Sequence, residues 1–232
     1  MNIKNVFIIL GEPNSTFLEI LFKYFSSQMF KKNKKKIILI GNCQLFLAQM
    51  NVLKFKIKLN IINEIKHSIK GKVNIINIKY EFNKAFSKIS NQSNKYIENF
   101  FDLSLKLINN NNVHSLINGP VSKKHFLKKR FPGITEYVAS KTKSKEPVML
   151  IYNKDLAVSP LTTHIPIKNV SKFIKKKRII NSVIKINNFY KSKLKIRPNI
   201  AVMGLNPHCE TIDRVSEEKK EIIPAIKYLV NK

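Results

Sequence analysis

Two histidines follow predicted strands, in loops whose other residues are unusually polar. His164 ends the stretch TTH, and His208 lies in GLNPHCE, directly after the apolar run Asn199–Met203. In open parallel α/β sheets, ligands bind at the carboxyl edge, where such loops gather. Because neutral imidazole binds first-row divalent ions, a shared metal site is one interpretation. The other is that each histidine is a hydrogen-bonded or solvated loop residue.

A third polar loop, INGPVSKKHF, spans Ile117 to Phe126. Gly119 and Pro120 predict a turn, and Lys123 falls at the start of the next helix. Glycine permits close approach of the backbone to a ligand, and a helix N-terminus with a lysine suits phosphate or carboxylate. The alternative is an ordinary Gly-Pro turn without a ligand.

Alternating short apolar runs and longer amphipathic stretches predict α/β units around a mostly parallel sheet. The predicted strands are Val6–Leu10, Lys36–Gly41, Val73–Ile78, Ser115–Asn118, Val148–Tyr152, Ala157–Thr162 and Asn199–Met203. The predicted helices are Ser15–Phe30, Gln44–Asn51, Asn94–Asn110, Ile134–Lys141, Asn169–Tyr190 and Ser216–Val230. We place a domain boundary near Phe131–Gly133, which gives an N-terminal α/β domain of residues 1–132 and a second, incomplete α/β domain of residues 133–232.

The charge of the chain suggests anionic partners, but its distribution does not support a specific one. The 232 residues carry a net charge of +29. Nucleic acid or an anionic membrane surface would suit such a charge. The lysines are nevertheless scattered, arginine is scarce, and aromatic residues do not alternate with the charges as in RNA-binding modules. Together with the many Ile and Asn residues, this favours a compositional bias and predicts no specific nucleic-acid or membrane partner.

Cysteine content and hydropathy predict a cytoplasmic location. Cys43 and Cys209 are too few for a disulfide framework and belong to no CxxC motif. No apolar stretch approaches the roughly 20 residues of a membrane-spanning helix. The opening MNIKNVFIIL is followed by GEPN in place of a small-residue cleavage site, so it predicts a first strand and not a signal peptide.

Six segments, in order, resemble motifs of one enzyme family: GEP, NGPVSK, PGITEY, TTHIP, GLNPHCE and EEKKEIIPAI. The chain resembles the 4-hydroxythreonine-4-phosphate dehydrogenase family of vitamin B6 biosynthesis along essentially its whole length. The resemblance implies a two-domain α/β fold like isocitrate and isopropylmalate dehydrogenases, with a mostly parallel sheet. It also implies NAD as cofactor and a homodimer whose active site, with a divalent metal (Zn, Mg or Co), lies at the interface.

The resemblance assigns residues of the site. His164 and His208 fall on two of the family's three metal-binding histidines, and Thr135 falls on a substrate-contacting threonine. Ile134 stands where the family has a substrate-binding histidine, which removes one hydrogen-bond donor. Lys123 is our candidate for binding the substrate phosphate. No general base is identified.

Three departures from the family pattern affect this interpretation. After GEP the family is rich in glycine, whereas this chain has NSTFLE, so Asn14 to Phe17 must form a less permissive turn. CETID replaces the usual AGEGG after His208. The third metal histidine belongs to a YHDQ-type motif that this sequence lacks. We therefore expect a C-terminally truncated member that by itself binds metal weakly and shows no NAD-dependent turnover.

The implied reaction is oxidation and decarboxylation of 4-phosphooxy-L-threonine with NAD, giving 3-amino-2-oxopropyl phosphate for pyridoxal 5'-phosphate synthesis. A related activity on phosphorylated threonate or erythronate is an alternative that Ile134 could signal. An inactive fragment retaining metal binding or dimerisation is a second alternative, and a basic nucleic-acid or membrane-surface binder is a third. The choice between NAD and NADP stays open, as does the identity of the metal.

Overall fold

The computed structural model describes residues 5–111, 115–128, 130–209 and 216–231. The chain forms two compact units that divide between Lys145 and Glu146, whereas the sequence placed the boundary at residues 132 and 133. The division falls later because helix Ile134–Lys141 packs within the first unit. Its Tyr137 ring lies 5.2 Å from the Phe101 ring, centroid to centroid.

The first unit contains a five-stranded, all-parallel sheet in the order β3-β4-β2-β1-β5. The strands are β1 Asn5–Ile9, β2 Lys36–Gly41, β3 Leu59–Ile62, β4 Val73–Asn77 and β5 Leu116–Asn118. β1, β2 and β4 are apolar and largely buried, as expected for parallel strands covered on both faces. The predicted α/β fold with a parallel sheet is thereby confirmed. β3 was not predicted because its four residues, LNII, include a polar residue and only a short apolar run.

The described residues of the first unit form the helices α1 Phe17–Phe25, α2 Gln28–Lys32, α3 Cys43–Val52, α4 Asn91–Asn111 and α5 Ile134–Lys141, which position its loops. A single helix predicted over Ser15–Phe30 divides into α1 and α2. The division occurs because Ser27 adopts an extended conformation and accepts the Phe30 N–H at 3.4 Å, which starts a new helix. A 3-10 turn, Ile65–His67, precedes β4. Phe22 of α1 and Phe46 of α3 pack edge to face at 4.9 Å, and Ile97 and Phe100 of α4 are fully buried.

The second unit is mainly helical in its described part. Its helices are α6 Val170–Phe173, α7 Lys176–Phe189 and α8 Ile223–Val230, with a 3-10 turn at Ile167–Asn169 and π-helical turns at Tyr190–Leu194 and Glu218–Ile222. Among the described residues, its buried apolar core consists of Ile174, Ile179, Ile222 and Ala225.

Three strands predicted for the second unit are absent from its described residues. Segments Val148–Tyr152 and Ala157–Thr162 meet only in one antiparallel bridge, between Ile151 and Val158, and Asn199–Met203 forms no strand. These predictions are wrong for the described structure. Apolar runs become strands only where a neighbouring strand pairs with their backbone, and Ile151, Val158 and Met203 are instead 61%, 53% and 78% exposed.

Within the described residues, no helix has both the length and the apolar composition needed to cross a bilayer.

Lys141 links α5 to α4 through ion pairs, and we expect its substitution to lower the stability of the first unit modestly. Its Nζ lies 2.9 Å from Asp102 Oδ1 and 3.3 Å from Glu98 Oε1. The hydrogen bond to Asp102 is the main cause of the raised pKa of Lys141. We expect Lys141→Met to lower the free energy of unfolding by about 0.5–1 kcal/mol in low salt, as for a partly exposed ion-pair network.

The matched control is Lys95→Met, because Lys95 makes only an exposed pair with Glu98, at 3.1 Å. Urea unfolding followed by circular dichroism measures both variants. An equal loss in the two would show that Lys141 does not act as a bridge between the helices.

Candidate active site

The carboxyl ends of β1 and β5 are joined by two touching loops. The Gly119 N–H donates to Ile9 O at 2.8 Å, and the Glu12 N–H donates to Pro120 O at 2.8 Å. Gly11 has a φ of +73°, and a Cβ there would come 2.5 Å from Pro120 O. We call this pair, residues 11–12 and 119–120, the glycine clasp. β2 lies on one side of β1 and β5 on the other, so the order in which strands are added reverses between β1 and β5. Parallel α/β sheets bind ligands at such a position.

The turn after the clasp needs no left-handed residue. Asn14, Ser15 and Thr16 all lie outside the positive-φ region, and Thr16 begins α1 with a φ of −74°. The Ser15 hydroxyl donates to Glu12 O at 2.8 Å, which closes the turn locally. This explains how the chain accommodates NSTFLE where the family pattern has glycines.

Glu12 carries an unusual buried carboxyl group beside this turn. The residue is 5% exposed, and neither carboxylate oxygen has a hydrogen-bond partner among the described residues. Burial raises the pKa of Glu12, although the nearby Ser93 hydroxyl and Asn14 N–H partly oppose the shift. The Ser93 hydroxyl donates instead to Ser90 O at 3.0 Å, so it does not satisfy the carboxylate.

The loop after β2 is closed by its own side chains. Asn42 caps α3 by accepting the Leu45 N–H at 2.8 Å, and its amide donates to Ile78 O at 2.9 Å. The Cys43 N–H donates to Asn77 Oδ1 at 2.9 Å. Protein groups therefore bind two of the amides that an anion would otherwise use at this helix N-terminus.

One aromatic cluster positions the three candidate substrate residues. Tyr137 of α5 lies 5.1 Å from Phe126 and 5.5 Å from Phe131, so it holds α5 against the π-helical turn Lys123–Leu127. Lys123 is exposed in this turn, and Thr135 is half-buried in the first turn of α5. Gly133, the residue before α5, has no side chain with which to cap the helix. Ile134, the first residue of α5, packs against the apolar core.

His164 lies in the second unit and has a left-handed backbone conformation. Its φ is +57°, and its side chain is exposed. Non-glycine residues in this region carry strain of about 1–3 kcal/mol and cluster at functional sites. The conformation supports a specific orientation of the imidazole, although it does not identify a ligand.

His208 lies in a second strained loop of the same unit. The His208 N–H donates to Asn206 Oδ1 at 3.0 Å, and the Cys209 N–H donates to Asn206 O at 3.1 Å. Cys209 has a φ of +56°, and the imidazole of His208 is exposed. Glu218 accepts the Leu205 N–H at 3.0 Å and so ties this loop to the turn before α8.

The two histidines offer suitable but incomplete metal ligation. Both are exposed imidazoles, the donor type that first-row divalent ions accept. Within the part of the chain that the structure describes, no group of three or more His, Cys, Asp or Glu side chains is arranged to hold a metal ion. The donor type of the two imidazoles suits a divalent metal, and the convergence of His164 and His208 on one ion stays a prediction.

A cavity in the second unit is lined by neither of the two histidines. It has a volume of about 700 Å³ and lies between α7, the segment around Ile200 and α8. Its lining combines apolar side chains with Lys191 and Arg197, and it includes neither His164 nor His208.

Two carboxylates with distinctive environments were not singled out from the sequence. Glu12 follows a predicted strand and precedes a proline, so its place in GEP was the available signal. Glu218 lies in the EEKKEIIPAI segment, within the helix predicted over Ser216–Val230, and no local signal distinguishes it from its acidic neighbours. Their burial depends on packing between segments distant in sequence, which a local pattern does not reveal.

Comparison with known proteins agrees with the fold and motifs. The family model described as "Pyridoxal phosphate biosynthetic protein PdxA" matches residues 33–232. The 4-hydroxythreonine-4-phosphate dehydrogenase of Sulfurihydrogenibium sp. is 30% identical over 226 residues, covering 96% of this chain and 69% of that protein. The enzyme of the same name from Aquifex aeolicus is 28% identical over 228 residues, covering 97% and 70%.

Solved structures of proteins with this name share the fold. The crystal structure from Burkholderia phymatum superposes with a TM-score of 0.84 at 21% identity, covering all of this chain and 72% of that one. The structure from Klebsiella pneumoniae gives a TM-score of 0.85 at 20% identity, with coverage of 98% and 72%.

The parallel sheet and its polar carboxyl-edge loops define an α/β protein with the fold of these solved structures. More specifically, the chain belongs to the PdxA family of pyridoxal phosphate biosynthesis. The resemblance of the six motifs is thereby confirmed.

Proposed function

We propose that this chain acts in the NAD-dependent oxidation and decarboxylation of 4-phosphooxy-L-threonine to 3-amino-2-oxopropyl phosphate, in pyridoxal 5'-phosphate synthesis. The main support is that the family match over residues 33–232 includes both histidine loops and the PGITEY segment. The relatives named 4-hydroxythreonine-4-phosphate dehydrogenase support an oxidoreductase.

Each candidate residue has a role that its chemistry supports. The imidazoles of His164 and His208 would bind a divalent metal (Zn, Mg or Co) as neutral ligands, so they are not free to act as bases. The Thr135 hydroxyl and the first N–H groups of α5 would orient the substrate, and exposed Lys123 would attract its phosphate. In a bound complex, the metal contributes polarisation of the substrate oxygen and NAD contributes hydride acceptance. We also propose a homodimer with the active site at the interface.

A related substrate is the second candidate. Ile134 stands at the family's substrate-binding histidine and packs on the apolar core, so its side chain offers no hydrogen bond. A phosphorylated threonate or erythronate has a hydroxyl in place of the substrate ammonium, which would suit the loss of one polar partner. Competition between the two substrates in one assay distinguishes them through the ratio of their kcat/KM values.

The proposal is tested through metal-dependent substrate binding. We expect isothermal titration with Zn²⁺ or Co²⁺ to show weak binding by this chain, and 4-phosphooxy-L-threonine to bind only when metal is present. His164→Ala and His208→Ala should each remove this binding. His67→Ala is the matched control, because His67 is an exposed histidine of the first unit. Metal-dependent binding that survives both active-site substitutions would place the site elsewhere.

Turnover provides the second arm of the test. The family uses three metal-binding histidines, and this sequence supplies two of the matching motifs. We therefore expect NADH formation when the chain is fused to the part of the Sulfurihydrogenibium protein outside the match, and none from this chain alone. Comparable turnover by both would contradict the assigned metal site, and absence of turnover in the fusion would contradict the activity.

A further inference from the structure

We propose that Glu218 is a positioning residue that fixes the loop from which His208 projects. Glu218 Oε1 accepts the Leu205 N–H at 3.0 Å, and Glu218 is 6% exposed. This hydrogen bond is the main cause of the lowered pKa of Glu218, so the group is an anion at neutral pH. Hydrogen bonds from a backbone N–H to a carboxylate are shorter and stronger than those between neutral groups.

The hydrogen bond at Leu205 restrains the backbone of His208, because the loop between them is closed by its own contacts. Asn206 Oδ1 accepts the His208 N–H at 3.0 Å, and Asn206 O accepts the Cys209 N–H at 3.1 Å. A Cβ on Gly204 would lie 2.7 Å from Cys209 Sγ, which shows how closely the two ends of the loop approach. Because the loop is closed on itself, holding Leu205 restricts the position from which the imidazole projects.

Glu218 is itself held by the helical part of the second unit. Ser216 Oγ accepts the Lys219 N–H at 3.2 Å, which begins the π-helical turn that contains Glu218. One turn later, Glu221 accepts the Lys176 N–H at 2.6 Å and thereby joins this turn to the start of α7. Through these contacts, the loop that carries His208 is held against the helices of the second unit as well as by its own hydrogen bonds.

A positioning role makes a prediction that a general contribution to stability does not. Removing a group that hydrogen-bonds a metal ligand directly lowers metal affinity by about 10–100-fold. Glu218 acts through the backbone at Leu205, so we expect an effect at the lower end of this range. Glutamine keeps the length and the accepting oxygen of Glu218, whereas aspartate keeps the charge but is one methylene shorter. Geometry therefore predicts that Glu218→Gln retains more affinity than Glu218→Asp.

The experiment is a Zn²⁺ titration of the 232-residue chain in competition with a chromophoric chelator. We expect Glu218→Ala and Glu218→Asp to weaken binding by about tenfold, and Glu218→Gln to weaken it clearly less. The matched control is Glu217→Ala: Glu217 is the half-buried neighbour of the same charge, and its substitution should leave the affinity unchanged. Hydrogen exchange of the Leu205 amide should accelerate in the alanine and aspartate variants.

The positioning role of Glu218 rests on the proposed metal site. The His208→Ala variant distinguishes failure of the metal site from failure of the positioning role. If His208→Ala binds Zn²⁺ as tightly as the parent chain, the proposed metal site fails. If His208→Ala is weakened and Glu218→Ala behaves like Glu217→Ala, the positioning role is overturned. If Glu218→Ala does not fold, the glutamine and aspartate variants decide, and aspartate binding as tightly as glutamine would overturn the proposal.

Discussion

Gly11→Ala is expected to lower the free energy of unfolding of the first unit by about 2–5 kcal/mol. Gly11 has a φ of +73°, a conformation that costs an L-residue about 1–2 kcal/mol. The added Cβ would also lie 2.5 Å from Pro120 O and 2.7 Å from Gly119 C, both backbone atoms that cannot rotate away. Overpacking of this kind adds about 1–3 kcal/mol.

Gly71 provides a control that separates the cost of a positive φ from the cost of the steric overlap expected at Gly11. Gly71 has a φ of +76°, and a Cβ there would meet nothing within 4 Å. Gly71→Ala should therefore lose only the conformational contribution of about 1–2 kcal/mol. Urea unfolding measured by circular dichroism at constant m-value gives both numbers. Equal losses in the two variants would mean that the glycine clasp relaxes easily and does not fix the ends of β1 and β5.

Glu12→Gln is expected to make the first unit more stable than the parent chain at pH 8. Burial raises the pKa of Glu12 above its ordinary 4.5. A group whose pKa is higher in the folded state stabilises the fold when protonated. This contribution is complete below the unfolded pKa and is lost as the pH rises through the folded pKa. Glutamine cannot ionise, so it avoids the additional cost of burying a charge, which exceeds the roughly 1–3 kcal/mol of a neutral unsatisfied group.

The measurement is the difference in unfolding free energy between Glu12→Gln and the parent chain from pH 4 to pH 8. We expect the difference to move in favour of the variant as the pH rises. Glu81→Gln is the control for the change in net charge, because Glu81 is exposed. A difference that stays constant with pH, or equals that of Glu81→Gln, would show that Glu12 is charged without penalty in the folded chain.

The sequence predicted the sheet of the first unit well because burial and periodicity agree there. β2 was predicted with its observed bounds, and α5 likewise, since each is limited by polar or glycine residues at both ends. Predictions failed in the described part of the second unit, where apolar runs find no neighbouring strand. The apolar run Asn199–Met203 has strand composition, yet strand formation needs a neighbouring strand, and the described residues provide none.

The same distinction applies to the candidate site. Motifs identified His164, His208, Thr135 and Lys123 as residues of interest, because their types and order are local properties. The burial of Glu12 and the contact from Glu218 to Leu205 depend on how distant segments pack. The left-handed conformation at His164 was likewise not predicted, because the neighbouring residues do not require it.

The small core of the second unit has a consequence for binding equilibria. Four buried apolar residues form that core within the described part of the chain, whereas the first unit is built around a sheet covered on both faces. Segments with few buried contacts open locally at low free energy. A ligand that binds only the closed form stabilises it by mass action, by about 2.7 kcal/mol at a free concentration of 100 times Kd. Binding of a metal ion at His164 and His208 would therefore be coupled to the folding of the second unit. The apparent affinity for the ion would then depend on the folding equilibrium as well as on the direct contacts.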